Sequence, residues 1–408
     1  MDILRRTWQQ SVVPTSALMV QAAQSKLLAH FCKGMHIDVR RSSNGLNYIV
    51  CKRSAAQGLV IYTSEEPQSS QIAAPSSSSN SGSQKTLLLL HGYGSGLGFF
   101  FRNYGHLSNT YDTVVAVDLL GMGGSDRGSI QDAPRISMLS LLYQAVTGNT
   151  ERVDAYAVPK AMNYFVDSIE EFCKTEGLPS SGLHVAAHSL GGLIAYNYAA
   201  KYKSRSEALI LISPCGVPKL PSKEVQVPWT QGKAMVNIFK LLWSSNMTPQ
   251  SILRMAGSRG PGMVSSALNR RFNARWEATE LELISDYLYH ISAMPASGEY
   301  ALNALLSPVM YRDAPSNSIK TSVFAKRSIE DFVDAEEGYG RLRIPILMLF
   351  GDHDWLSFPG VEAFVQKCRG RGMTMDYKVI PQAGHHLYLD NSDAFHSAVD
   401  AFRAKHKL

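Results

Sequence analysis

LHVAAHSLGGLIAYNYA, residues Leu183 to Ala199, reads as three things in a row. Leu183 to Ala187 is a short apolar run of the kind a buried parallel strand gives. His188-Ser189-Leu190-Gly191-Gly192 is a tight turn, and beyond it apolar residues recur three and four apart, as on a helix. Strand, sharp turn and helix form the setting in which a G-x-S-x-G match carries meaning. The serine is held in a strained conformation, its hydroxyl raised above the carboxyl edge of the sheet. The positions two before and two after it must be small to avoid collision. Here they are Ala187, in place of the motif's first glycine, and Gly191. Ser189 is therefore expected to be a nucleophile on a strand–helix elbow, against the competing reading of an ordinary small-residue turn.

Upstream, KTLLLLHGYGSGLGFFFRN gives a buried strand over Thr86 to Leu90, with His91-Gly92-Tyr93-Gly94 turning off its end. The loop after such a strand supplies one backbone N–H of an oxyanion hole, and the residue after the nucleophile supplies the other. That nominates the amides of Tyr93 and Leu190. A glycine-rich phosphate loop is the competing idea, but the P-loop lysine is missing and no acid is placed to hold a ribose. YDTVVAVD (Tyr111 to Asp118) is the next strand, followed by a glycine-rich loop, LLGMGGSDR, without an obvious chemical role. Downstream, Ala208 to Ser213 and Ile344 to Phe350 are further buried strands. GDHDWLS after the latter offers Asp354 as the triad acid, with Asp352 as runner-up that shapes the turn. QAGHHLYLD then places His385 on the loop after the last strand, with His386 as fallback. Ser, Asp, His is the chain order of α/β-hydrolases. His385 would take the serine proton and return it to the leaving group, while Asp354 fixes its tautomer. A metal site from Asp352, His353, Asp354, His385 and His386 is the rival reading; it is set aside because both loops already have roles. No metal and no cofactor is expected.

With 408 residues, 45% hydrophobic and 18% charged, the chain is long enough for a large α/β domain with an inserted lid. A net charge of +6 suits an anionic membrane surface and does not suggest nucleic acid. Five scattered cysteines imply a reducing compartment, and no run is apolar enough to cross a bilayer or act as a secretory signal. Residues 1–34 hold a helix after Pro14, capped by Thr15 or Ser16, with Leu18, Met19, Ala22, Leu27, Leu28 and Phe31 on one broad face. With Arg5, Arg6 and Trp8 ahead of it, this is a membrane-contacting helix, a targeting segment, or a helix packed on the body. Residues 35–216 form the first part of the core, opening with strands in HIDVRR, LNYIVCKR and LVIYTS. The serine-rich residues 65–84 are read as a disordered loop. Ser129 to Val158 is an excursion with one short helix around ISMLSLLYQAV, and AMNYFVDSIEEFCK (Ala161 to Lys174) is an amphipathic helix. Residues 217–333 are expected to be a predominantly helical lid, with TQGKAMVNIFKLLW and TELELISDYLYHISAM its clearest helices, and 334–408 complete the core. From Lys219 through Arg275 nine Lys or Arg face one acid, Glu224, with Trp229, Phe239, Trp243, Phe272 and Trp276 interleaved. This suits an interface for anionic phospholipid, or else a solvated lid with a small aromatic core.

Several separated stretches resemble one branch of the α/β-hydrolase superfamily: VVPTSALMVQAAQSKLL, LLLLHGYGSGLGFFFRN, AVDLLGMGGSDR, AAHSLGGLIAYNYAAKY, RMAGSRGPGMV, DYLYHISAMPASGEYALNALL, VFAKRSIEDF, GDHDWLS and QAGHHLYLD. That branch contains the mitochondrial cardiolipin-specific deacylase, the N-acyl-phosphatidylethanolamine lysophospholipase and the lipase coactivator of lipid droplets. The resemblance implies an α/β-hydrolase fold, a mostly parallel sheet with helices on both faces and a lid inserted after the nucleophile half. It also implies a peripheral-membrane enzyme removing an acyl chain from phospholipid or N-acyl phospholipid, at mitochondria, the cytosolic face of endomembranes or lipid droplets. The coactivator branch lacks the nucleophile that Ser189 keeps here, so a non-catalytic lipase regulator is an alternative. Ser357 stands where some relatives have an aspartate, which leaves the acid on Asp354. His385 and Asp390 match an H-x-x-x-x-D motif linked to lysophosphatidate acyltransferase activity, for which acyl-CoA would be co-substrate. The plainer reading is that Asp390 or Asn391 caps the helix beginning near Asp393.

Overall fold

The computed structural model describes residues 15–33, 35–52, 60–63, 85–128, 134, 136–147, 150–219, 243, 247–272, 276–312, 319–335, 341–357 and 360–408. Its frame is a nine-stranded sheet in the order β11-β10-β7-β6-β4-β5-β2-β1-β3. The strands are β1 (His36–Arg41), β2 (Asn47–Lys52), β3 (Val60–Thr63), β4 (Thr86–Leu90), β5 (Thr113–Val117), β6 (Leu183–His188), β7 (Ser206–Ile212), β10 (Ile346–Gly351) and β11 (Met375–Ile380). β2 runs antiparallel to β1 and β5, and the pairs from β5 through β4, β6, β7 and β10 to β11 are all parallel.

The apolar runs become central strands because both faces of the sheet are covered. Leu88, Leu90, Val115, Val117, Val185 and Ala187 enter one core; their neighbours Leu87, Leu89, Val114, Ala116 and Ala186 enter the other. That alternation is the period of two of an extended chain. Full burial of each large aliphatic side chain favours the fold by roughly 1.5–3 kcal/mol. Register follows from it, since a slip by one residue would exchange the two cores. The functional consequence is that β4, β6, β10 and β11 all end at the same edge.

The helices are α1 (Ala17–Phe31), α2 (Tyr104–Thr110), α3 (Met138–Thr147), α4 (Thr150–Thr175), α5 (Leu190–Lys201), α6 (Pro249–Met255) and α7 (Gly260–Phe272). They continue with α8 (Ala278–Ala293), α9 (Ala301–Leu305), α10 (Ile329–Asp334), α11 (Val361–Gly370), α12 (Leu387–Asp390) and α13 (Ser392–His406).

Among the described residues of 217–333, helices α6 to α10 are accompanied by an antiparallel hairpin, β8 (Leu306–Arg312) and β9 (Ile319–Ala325). Two expectations change. The excursion before the nucleophile strand holds α3 as expected, but the amphipathic helix starts at Thr150 rather than near Ala161 and carries Pro159 inside it. In α1, Ser16 caps the helix by accepting from Met19 N–H, yet the face turned inward is Val20, Ala23, Gln24, Leu27 and Leu28. Leu18, Met19 and Ala22 are exposed. Gln24 displaces them from the core because its Oε1 accepts from Asn47 Nδ2 at 2.9 Å, which satisfies a buried polar pair. Residues 1–14, the serine-rich loop 65–84, and the lid segment TQGKAMVNIFKLLW apart from Trp243 lie outside the described residues, as do Trp229 and Phe239. Phe272 and Trp276 are buried and stacked, with ring centroids 4.1 Å apart, so these two lid aromatics form core rather than surface.

Candidate active site

β6 hands the chain to α5 through Ser189, whose backbone sits at φ +53° and ψ −117°. A non-glycine residue held there costs on the order of 1–3 kcal/mol and persists only where its surroundings enforce it. They do so by close approach. A Cβ on Gly191 would meet the carbonyl oxygen of His91 at 2.5 Å and that of Leu90 at 2.9 Å. The elbow is thus pressed against the end of β4, and only a glycine fits. Ala187, the departure from the motif, is fully buried and accommodated in β6.

The Ser189 hydroxyl lies 3.0 Å from His385 Nε2, and His385 Nδ1 lies 3.1 Å from Asp354 Oδ1. The sheet edge therefore brings together all three residues expected to form the triad. Asp354 and His385 are both buried. Burial opposes the Asp354 carboxylate, but hydrogen bonding and charge attraction from His385, with Ser213 and the Leu356 N–H, outweigh it and hold the carboxyl below its usual range. The Leu356 N–H donates to Oδ1 at 2.9 Å. Among the described residues, the buried Asp354 Oδ2 and Ser213 Oγ have no hydrogen bond in good geometry, so Ser213 helps through its dipole. The runner-up, Asp352, instead accepts from Gln382 N–H at 2.8 Å and Ala383 N–H at 2.9 Å. It fastens the loop that carries His385, and those backbone bonds hold its carboxyl low.

Leu190 begins α5, where unpaired amides and the helix dipole favour developing negative charge. Among the described residues neither the Leu190 N–H nor the Tyr93 N–H has a hydrogen-bond acceptor, so both remain available. The Tyr93 loop is fixed from two sides. From below, His91 Nδ1–H donates to Gly92 O at 2.7 Å and its Nε2 accepts from Leu119 N–H at 2.9 Å, which sets the tautomer. Fully buried Asp118 accepts from Leu97 N–H, Gly124 N–H and Asn47 Nδ2, each at 2.7 Å. Asp118 thus ties the two glycine loops together. Its role was missed in the sequence, where the signal was an acid ending an apolar strand. From above, a Cβ on Gly98 would collide with the Tyr287 ring at 2.6 Å, and Gly98 N–H donates to Tyr287 Oη at 3.1 Å. The glycine spacing that invited comparison with a phosphate loop serves instead to seat a tyrosine of α8. The Tyr93 hydroxyl donates to Gln250 of α6, and a small cavity of about 20 Å³ beside it is lined by Gly94, Met122, Arg127, Gln250 and Glu299.

Two further imidazoles back the triad. His188 Nε2–H donates to the His385 carbonyl at 2.9 Å, while its Nδ1 is buried without a partner among the described residues. Burial, with the charges of His385 and Arg271, pushes His188 well below the usual histidine range. His386, the fallback base, points elsewhere: its ring packs 4.8 Å from His188 and 5.8 Å from Phe99, and burial lowers it likewise. The serine bond belongs to His385. Of the two candidate caps, Asn391 caps α13 by accepting from Ala394 N–H at 3.2 Å. Asp390 Oδ2 accepts from Gly384 N–H at 2.8 Å, so this half of H-x-x-x-x-D holds the residue preceding His385.

The sequence profile of the alpha/beta hydrolase fold family matches residues 85–392. A 1-acylglycerol-3-phosphate O-acyltransferase of Arabidopsis thaliana is 31% identical over 77% of this chain, which spans 65% of that relative's length. The human (Lyso)-N-acylphosphatidylethanolamine lipase is 28% identical over 82% of this chain and 83% of its own. The human 1-acylglycerol-3-phosphate O-acyltransferase ABHD5 is 28% identical over 79% and 78%. Among solved structures, the carboxylesterase CesB of Bacillus subtilis aligns over 95% of this chain and 97% of its own, with a TM-score of 0.52 and 13% identity, a likeness of fold.

Proposed function

Because this chain belongs to the α/β-hydrolase fold family, we propose that it is a serine hydrolase deacylating phospholipid or N-acyl phospholipid at a membrane surface. The observation that carries this reading is the continuous Ser189–His385–Asp354 hydrogen-bonded chain, at 3.0 and 3.1 Å. His385 Nε2 takes the Ser189 proton as the hydroxyl attacks the acyl carbonyl, and Asp354 stabilises the imidazolium. The amides of Tyr93 and Leu190 receive the oxyanion. Collapse gives an acyl-Ser189 ester, with the proton passing from His385 to the departing oxygen or nitrogen. Water, deprotonated by the same imidazole, then releases the fatty acid.

Surface contact is supported by apolar side chains exposed beside arginines: Ile252, Met255 and Met263 on α6 and α7, near in sequence to Arg259, Arg270 and Arg271. Leu18 and Met19 on α1 are exposed as well. Among the described residues no helix is long and apolar enough to cross a membrane.

A second reading, transfer of an acyl group to a lysophospholipid with acyl-CoA as donor, is favoured by the names of the plant relative and of ABHD5. The chemistry is adjacent, since an acyl-serine can be intercepted by an alcohol instead of water. A purely regulatory, non-catalytic protein would have no use for the intact serine–histidine contact. Fatty-acid release from phospholipid vesicles without acyl-CoA, compared between wild type and Ser189→Ala, tests the assignment. Release that survives in the folded variant, or turnover that requires acyl-CoA, rejects hydrolysis at Ser189.

A further inference from the structure

An acyl glycerophospholipid carries its phosphate a few bonds from the scissile carbonyl, so a cation close to His385 is well placed to recognise it. Arg271, in the last turn of α7, meets that requirement. Its Nη2 would lie 3.7 Å from a Cβ on Gly384, the residue preceding His385, and 3.9 Å from Asp390 Oδ2. The Arg271 side chain is 38% exposed and that of Asp390 only 4%. Asp390 is itself fixed by the Gly384 N–H, so it aims the guanidinium from behind without saturating it. The guanidinium carbon lies 4.9 Å over the Phe272 ring, a contact that uses none of its N–H donors. Among the described residues no acceptor takes any of those donors in a hydrogen bond. The positive charge is close enough to oppose protonation of both His188 and His386.

Three other arginines of this region are committed. Arg254 is clamped between Glu299 and the carbonyls of Ser292 and Met294. Arg102 pairs with Glu280 at 2.8 Å, and Arg127 donates to the carbonyls of Gly123, Ser125 and Pro295.

We infer that Arg271 binds the phosphate of the acyl-lipid substrate at the rim of the catalytic cleft, and that Asp390 positions it. The inference rests on the reading that Ser189 deacylates a phosphate-bearing lipid. In this arrangement Asp390 acts on His385 through the Gly384 amide and on the substrate through Arg271, without touching an acyl acceptor. A planar guanidinium whose donors are not taken by hydrogen bonds can match a phosphate's oxygens in a bidentate contact.

The test uses the full chain and monomeric, water-soluble substrates, so that adsorption to a lipid surface plays no part. The kcat/KM for 1-hexanoylglycerol 3-phosphate is divided by that for 1-hexanoylglycerol. Arg271→Ala is expected to lower this ratio about tenfold or more, chiefly through KM for the phosphate ester, and Arg271→Lys to lower it less. An unchanged ratio in folded Arg271→Ala overturns the inference. A binding measurement needs no turnover. Millimolar glycerol 3-phosphate is expected to raise the Tm of wild type where glycerol does not, with the shift lost in Arg271→Ala and partly kept in Arg271→Lys. No shift in wild type, or an equal shift in Arg271→Ala, overturns it. Inorganic phosphate at the same concentration is expected to give a smaller shift than glycerol 3-phosphate. An equal or larger one marks a free-phosphate site and overturns the assignment to a lipid headgroup. Should Ser189→Ala retain hydrolysis, the proposed function fails, and the binding arm still decides this site.

Discussion

Asp390 separates a structural from a chemical reading of the H-x-x-x-x-D pattern. Its carboxylate accepts the Gly384 N–H at 2.8 Å from a position 4% exposed, directly ahead of His385. Asp390→Ala removes a charge-assisted bond worth about 1.5–3 kcal/mol and leaves a partly buried N–H unpaired. In a chain of 408 residues each kcal/mol moves Tm by only about 1 °C, so the variant should melt roughly 2–4 °C lower. The larger effect is on rate. Loosening the backbone before His385 misplaces the imidazole, and a shift of about 1 Å can cost on the order of 10²-fold. Asp390→Asn keeps a side-chain carbonyl as acceptor, loses only the charge assistance, and should retain hydrolysis within about fivefold. The assay is turnover of a short p-nitrophenyl ester, which carries no phosphate and so leaves Arg271 out of the measurement. Acyl transfer from acyl-CoA to lysophosphatidate is followed in parallel. Asp390→Ala at the wild-type ester rate refutes the positioning argument. Asp390→Asn that abolishes transfer while sparing hydrolysis makes Asp390 a chemical participant, contrary to the contacts described.

Other expectations follow from single contacts. Asp354→Asn, which cannot stabilise the imidazolium, should lower kcat by about 10³–10⁴-fold. Asp352→Asn should stay within about tenfold, because it serves a turn; a larger loss for Asp352 in steady-state kinetics reverses the assignment. Gly191→Ala sets a Cβ 2.5 Å from the carbonyl oxygen of His91, a backbone atom that has little room to give. A destabilisation of about 1–3 kcal/mol or more is expected by denaturant titration. Gly262→Ala, in α7 with nothing within 4 Å, should instead stabilise by about 0.5–1 kcal/mol. His184 and His396 are pushed down to about 4, chiefly by burial. Both must be neutral in the fold, while the unfolded chain binds the proton already at the ordinary histidine value of about 6.5. Their stabilisation is therefore complete above that value and lost as the pH falls through 4, roughly 3 kcal/mol each at about 1.36 kcal/mol per unit. Tm should fall across this window, with a shallower slope in His184→Asn/His396→Asn; a flat wild-type profile contradicts the burial argument.

The parts legible in the sequence are those where one local requirement dominates. Apolar runs buried on both faces could only be central strands, and β4, β6, β7 and β10 lie within a residue or two of their expected bounds. Ser189, Asp354 and His385 were found because each stands at a strand end in the right chain order. Where a tertiary contact overrides local preference, the reading failed. The amphipathic pattern was read only from Ala161, but the helix, packed against α5 and α9, runs back through Pro159 to Thr150. The β8–β9 hairpin gave no signal of its own within 217–333; it accommodates Pro308 because a two-stranded hairpin has only edges, where a proline is tolerated. The buried face of α1 was misjudged because Gln24 earns its place through a partner, Asn47, that no helical periodicity reveals. Asp118 was passed over for the same reason, since two of its three donors, Asn47 Nδ2 and Leu97 N–H, come from elements distant in sequence.

The central claim is that Ser189 is a nucleophile activated by His385 and Asp354. It is tested most directly by reacting the folded protein with a fluorophosphonate and mapping the adduct by mass spectrometry. The account predicts one adduct, on Ser189, absent in Ser189→Ala and formed about 10³-fold more slowly in His385→Ala. An unmodified Ser189 in folded wild type, or an equal rate in His385→Ala, would contradict it.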